Sequence, residues 1–210
     1  MKKKTAFIIV DMERAFGAGG SLAITGAEEI VAGINDFMEN GDEDGPPDMV
    51  INSYEEHRRG NLYLASTHGT EPGRKVVING RHYQTWVDHG LEGTDEVKPI
   101  PGLNLFRVRA VFRKGYAFHE HPYSAFGGRL MMGTVECPIT LEQYLNEHEI
   151  CQIKVGGLTF DYCAGETALE GAMKQFDVTM LKYLTRSYSK QTEEVMMKKL
   201  LAAGVKIIDK

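Results

Sequence analysis

The chain has no apolar run approaching the ~20 residues that a membrane-crossing helix needs. Its early apolar stretch, Ala6 to Val10, stops at Asp11 and is too short for a secretory-signal core. Cysteine is scarce. Cys137, Cys151 and Cys163 are an odd, widely spaced set, which argues against a disulfide framework and fits no zinc-ribbon spacing. A reducing compartment is therefore expected, the cytoplasm being the simplest, and it leaves room for one reactive thiol. Charge of one sign is not in large excess either. With a net charge of −5 and no dominant basic patch, neither nucleic acid nor an anionic membrane is an expected partner. The run Lys2-Lys3-Lys4 reads as a solvated tail. No internal repeat, low-complexity tract or linker divides the chain.

Apolar residues, at 42% of a 210-residue chain, are enough for one sizeable core, so residues 1–210 are read as one domain. Thr5 to Val10, Met49 to Asn52, Leu105 to Phe112, Ile150 to Val155, Val178 to Leu181 and Val205 to Ile208 read as short buried strands. Between them, Ala27 to Glu39 puts Ile30, Val31, Ile34 and Phe37 on one helical face. Leu141 to His148, Ala164 to Gln175 and Glu193 to Ala203 read as further helices. Strands alternating with helices predict an α/β fold: a doubly wound, mostly parallel six-stranded sheet with helices on both faces. Residues 54–103 are polar, rich in glycine and histidine, and weakly periodic, as expected of a long excursion that carries function.

Ligands of such folds bind beyond the carboxyl ends of the strands. Asp11 follows the first strand, Lys114 the third and Cys163 the fourth. Taken singly, Asp11 reads as a cap, Lys114 as a snorkelling lysine and Cys163 as a buried structural thiol. Together they form a chemical set: the carboxylate takes the thiol proton and the lysine stabilises both charges. Cys163 opens a helix, a position that lowers a thiol pKa. Cys137, in a loop before Pro138, and Cys151, in a strand, read as inert. In the excursion, Glu55 and His57 are one residue apart, so an extended segment aims both at one point, and His68, His82 and His89 follow. Imidazoles with a carboxylate suit zinc, iron or manganese; scattered surface histidines are the plainer alternative. His119 and His121 read as loop residues near Lys114. Phe16 and the sole tryptophan, Trp86, lie in polar loops and suit a flat ring or ordinary packing equally.

Five strings in order then resemble the nicotinamidase branch of the isochorismatase-like hydrolases over nearly the whole chain. AFIIVDMERAFGAGG resembles that family's strand, catalytic aspartate and glycine-rich loop. VINSYEEHRRGNLYLASTHGTEP and QTWVDHGLEGT resemble its metal-binding segments. FRKG with the later YSAF resembles its lysine motif, and GGLTFDYCAGETALEGA its nucleophile motif. The resemblance implies a catalytic set of Asp11, Lys114 and Cys163, with Phe16 and Trp86 holding a pyridine ring. It implies one divalent ion, zinc first with iron or manganese as alternatives, on Glu55, His57 and His89. It also implies a cis bond at Leu158-Thr159 and an oxyanion hole from the N–H groups of Thr159 and Cys163. The partner it implies is a small molecule, nicotinamide; homo-oligomerisation is left open. The chain departs from the pattern at Glu55, where aspartate is usual, at Glu56 for tryptophan, at Val87 for proline and at Gly90 for cysteine. These departures bear on the ion more than on the catalytic set, and His68 and His82 stay open as rival ligands. His57 is preferred because its alignment keeps Ser53, Ala65-Ser66 and His68-Gly69 in register. Cys163 argues against an isochorismatase proper, the two histidines against a carbamoyl amidase, and the complete catalytic set against a silent scaffold.

Overall fold

A computed structural model of the chain describes residues 3–118 and 123–210. Strand β1 (Lys4–Val10) leads through a 3-10 turn at Ala27–Ile30 into helix α1 (Val31–Asn40) and strand β2 (Met49–Glu55). The excursion carries a hairpin of β3 (Lys75–Ile78) and β4 (Arg81–Gln84). Then come β5 (Val108–Lys114), β6 (Arg129–Met132), β7 (Val135–Thr140), α2 (Leu141–Glu147), β8 (Ile150–Leu158), α3 (Cys163–Met173), β9 (Asp177–Arg186), α4 (Lys190–Ala202) and β10 (Lys206–Ile208).

The main sheet has eight strands in the order β10-β9-β8-β1-β2-β5-β6-β7. The six strands expected from the sequence are its parallel part. The expectation of six strands is corrected by β6 and β7, an antiparallel extension at one edge. Both are partly exposed and lack the fully apolar runs of the inner strands. Cys137 accordingly sits in strand β7 rather than in a loop.

Two cores explain the layering. Ala6, Ile8 and Val10 of β1 join Ile51, Phe112 and Val155 beneath α2, α3 and α4. Phe7 and Ile9, pointing the other way, join Ile34, Phe37 and Met38 of α1. Every residue from Ala6 to Val10 is fully buried, as a parallel strand covered on both faces must be. Because side chains alternate along a strand, Ser53 and Glu55 share the face of Ile51, and Lys114 shares that of Phe112. That face is the one covered by α3, which begins at Cys163.

The strand order turns back on either side of β1, since β2 lies on one flank and β8 on the other. Such a switch point opens a crevice at the carboxyl ends of the strands. Register aligns those ends: Val10 with Ser53 and with Gly157, and Glu55 with Lys114. Gly157 makes the close approach possible. Its φ is +103°, and a Cβ there would strike the Val10 carbonyl.

Candidate active site

Asp11 is the first residue past β1 and adopts a φ of +49°, a left-handed conformation that costs a non-glycine residue free energy but that aspartate tolerates best. Its N–H still donates to the Ser53 carbonyl at 2.9 Å, so the side chain turns away from the sheet while the backbone stays anchored. Lys114 ends β5 and reaches inward. Its Nζ lies 2.8 Å from Asp11 Oδ2, 3.0 Å from Glu55 Oε1 and 3.5 Å from Cys163 Sγ. All four residues are buried.

The loop before Cys163 is held from below. The buried Asp161 carboxylate accepts the Tyr188 and Ser189 N–H groups at 2.9 and 3.0 Å, tying the β8–α3 turn to the start of α4. The Thr159 carbonyl accepts from the Ala164 N–H at 3.0 Å. The Leu158-Thr159 peptide is cis. The N–H of Cys163, as the first residue of α3, has no acceptor within the helix, and the positive end of the helix dipole lies at that residue.

The electrostatics correct one expectation. Helix position does not leave Cys163 with a lowered pKa. Burial pushes its thiol well up, the Asp11 carboxylate adds to this, and Lys114 offsets only part. The resting sulfur is therefore a thiol. Burial likewise pushes Asp11 up to about 7, with Lys114 pulling down and Glu55 pushing up. Burial opposes the charge on Lys114, but Asp11, Cys163 and Glu55 outweigh it and hold Lys114 well above its ordinary value. A carboxylate poised near neutrality, beside a thiol and a permanent cation, suits general-base activation.

The second cluster forms because the excursion folds back on itself. His57 donates its N–H to the Gly90 carbonyl at 2.8 Å, and its carbonyl accepts from Glu92. This isolated bridge sets His57 beside His89. His57 Nδ1 lies 3.0 Å from the Gly115 carbonyl and His89 Nδ1 2.7 Å from the Val87 carbonyl. Carbonyls only accept, so each Nδ1 carries the proton and each Nε2 turns inward. Those Nε2 atoms lie 3.5 and 3.3 Å from the Glu55 oxygens, and donor atoms of all three residues fall within 4.8 Å of one another. Two inward nitrogens around one buried carboxylate have the spacing to hold a metal ion, and an N₂O set suits a divalent one. Burial would raise Glu55, but the Lys114 ammonium above all holds it well below the usual carboxylate range.

The rival ligands lie elsewhere. His68 Nε2 is engaged with the Leu62 carbonyl at 2.8 Å, and His82 is exposed on β4. His119 and His121 lie outside the described residues. A second group, Asp11, Glu55 and Cys163, also has metal-ligand spacing, but the Lys114 ammonium already sits among them.

Cys163 and the Glu55, His57 and His89 cluster open into one pocket of about 440 Å³, open mouth included, lined also by Phe16 and Trp86 among others. Phe16 packs edge-on against His89 at 5.6 Å. Trp86 donates its indole N–H to the Tyr123 hydroxyl at 2.8 Å and stands perpendicular to Tyr162 and Tyr188 at 5.0 and 5.5 Å. Tyr63, Tyr123, Tyr162 and Tyr188 also line the pocket and Glu13 is buried close to Glu55, none of them expected from the sequence. Tyr162 and Glu13 could have been found by their closeness in sequence to Cys163 and Asp11; Tyr188, on the β9–α4 connection, leaves no such signal.

Comparison with known proteins agrees with this architecture. The isochorismatase domain matches residues 5–210. A nicotinamidase of Escherichia coli is 30% identical over 178 residues, covering 84% of this chain and 80% of that protein. The solved nicotinamidase/pyrazinamidase of Acinetobacter baumanii superposes with a TM-score of 0.85 at 25% identity, over 99% of this chain and 97% of that one. The structure of PnC1 from L. infantum, in complex with nicotinate, gives 0.78 at 25% identity, over 98% and 92%. By the extent of these matches, the chain belongs to the isochorismatase domain family.

Proposed function

We propose that this chain is a cysteine amidohydrolase that converts nicotinamide and water to nicotinate and ammonia, serving salvage of pyridine nucleotides in the cytoplasm. The observation that carries the reading is the convergence of Asp11 and Lys114 on Cys163, which stands in the wall of an aromatic pocket that also bears Glu55, His57 and His89. The nicotinamidase of E. coli and the nicotinate complex of the L. infantum protein point to the same substrate class.

Asp11 takes the Cys163 proton as the sulfur attacks the amide carbonyl carbon, forming a C–S bond and an oxyanion. The N–H groups of Thr159 and Cys163 receive that charge, a contribution on the order of 10²–10³ in rate for one such donor. Asp11 then gives its proton to the departing nitrogen, the C–N bond breaks and ammonia leaves. Water, deprotonated by Asp11, attacks the thioester; the C–S bond breaks, Asp11 returns that proton to sulfur, and the acid loses water's second proton to solvent and leaves as nicotinate. Lys114 keeps Asp11 and the sulfur in place and offsets their charge throughout. Phe16 and Trp86 sandwich the ring and exclude water from it. Glu55, His57 and His89 would hold a divalent ion, which would supply a Lewis acid to orient the pyridine nitrogen.

The test is ammonia release from nicotinamide, with and without a chelator, for the wild type and Cys163→Ala. Turnover by the wild type alone, weakened by the chelator, is expected. Wild-type-like release by Cys163→Ala would discard the nucleophile, and no release from nicotinamide by ion-loaded wild type would discard the substrate.

A further inference from the structure

Glu13 is a buried residue beside the site that has been left without a role. It is 2% exposed and stands two residues past Asp11, where β1 has already left the sheet. In a continuing parallel ladder, the Asp11 N–H would donate to the Ser53 carbonyl and the Asp11 carbonyl would accept from the Glu55 N–H. The first bond is present. The second is replaced: the Glu55 N–H donates to Glu13 Oε1 at 2.6 Å. A side chain has taken the place of the departed strand on that edge of β2.

We propose that Glu13 is a positioning residue for Glu55, holding the ion-binding end of β2 through one acceptor oxygen. The loop that presents it is itself fixed, by a bridge between Glu13 and Pro99 and by the Phe16 N–H donating to the Glu13 carbonyl. Glu13 therefore cannot drift with Glu55; it sets where Glu55 sits. Glu55 in turn reaches Lys114 with Oε1 and His89 with Oε2, so one hydrogen bond fixes the carboxylate shared by the catalytic set and the imidazole pair. Only one Glu13 oxygen is used. Oε2 has no hydrogen-bond partner, and Glu13 forms no ion pair, among the described residues. An uncharged acceptor of the same length should serve equally, so Glu13→Gln should preserve the arrangement and Glu13→Leu should lose it.

Two readouts test this on the full chain: Zn²⁺ affinity by titration, and amide exchange at Glu55. The affinity arm rests on the ligand set proposed above; the exchange arm does not. Glu13→Leu should weaken Zn²⁺ binding by roughly 10–100-fold, the usual scale for losing a partner that orients a ligand, and should speed exchange at Glu55. Glu13→Gln should stay within about threefold of wild type in affinity, with Glu55 still protected. Glu13→Met serves as a second apolar variant, read by the same criteria, if Glu13→Leu does not fold. Wild-type affinity and protection in the apolar variant would overturn the proposal, as would equal losses in Glu13→Gln and the apolar variant. If the wild type binds no Zn²⁺, the ligand set fails, and exchange at Glu55 alone decides the role of Glu13.

Discussion

Cys163 and Cys151 carry the same atom in opposite settings. Cys151 is exposed on a strand, whereas Cys163 is buried at the head of α3 with Lys114 3.5 Å from its sulfur. Burial pushes that thiol up, so its reactivity has to be created during the reaction, by a base. On the proposed mechanism Asp11 is that base, and it works only when ionised. Because burial raises Asp11 to about 7, falling pH protonates it in the range where its unperturbed relatives would stay charged. The rate constant kcat/KM should therefore decline as pH drops below about 7, by about tenfold per unit well below that point for a single proton. Asp11→Asn should lower kcat by at least ~100-fold and abolish that acid limb. A variant that keeps the limb would show that the limb belongs to another group. The rate profile is the right measurement, since a merely structural loss would lower the rate without flattening its pH dependence.

At the scale of elements, the site depends on how strands end. Gly115 follows β5 with a φ of +76°, and an added Cβ would lie 2.8 Å from His57 Cε1 and 3.0 Å from Nδ1. The same residue's carbonyl accepts from that ring. Gly115→Ala should therefore cost about 1–3 kcal/mol in denaturant unfolding through backbone strain and also turn His57 away, lowering ion content. Unchanged ion content in a folded Gly115→Ala protein would show that the His57 ring is not held by this turn. Strand ends of this kind were legible in the sequence because the inner parallel strands are apolar runs closed by a polar or glycine residue, such as AFIIV before Asp11. The edge strands were not, because Arg129–Met132 and Val135–Thr140 are half exposed and pack one face only. The β3–β4 hairpin did carry a signal: Asn79-Gly80, both with positive φ, is the pair that favours a tight hairpin turn. What no pattern announced is the folding back of the excursion, since the His57–Leu91 and Leu64–Trp86 bridges join residues far apart in sequence through single backbone pairs. Nor could the spacing of Cys163 reveal its raised thiol, which follows from burial and from the carboxylates of Asp11 and Glu55 at the ends of β1 and β2.

On the scale of the whole molecule, one sheet edge unites two kinds of chemistry through a single carboxylate. Glu55 touches Lys114 on one side and the imidazoles on the other, and both sides face one pocket. Removing the ion should therefore act on the two halves unequally. The thiol keeps Asp11 and Lys114, which do not depend on the histidines for their placement, whereas the ring loses the group that orients it. His57→Ala and His89→Ala should each reduce ion content and raise KM for nicotinamide together, because ligand loss and ring orientation are one event. Orientation of a bound substrate is worth several kcal/mol of barrier at most, so kcat should fall too. Yet reaction of Cys163 with a small alkylating reagent should change by less than about tenfold, since alkylation needs the base and not the ring contact. His82→Ala, at an exposed hairpin position, should leave ion content, KM and alkylation alone. Metal analysis alongside KM on the three variants separates the outcomes. Full ion content in His57→Ala with none in His82→Ala would move the ion to the hairpin and undo the assignment. Loss of alkylation together with the ion would mean that Glu55, once released, withdraws Lys114 from the sulfur, making the ion part of the nucleophile's own support.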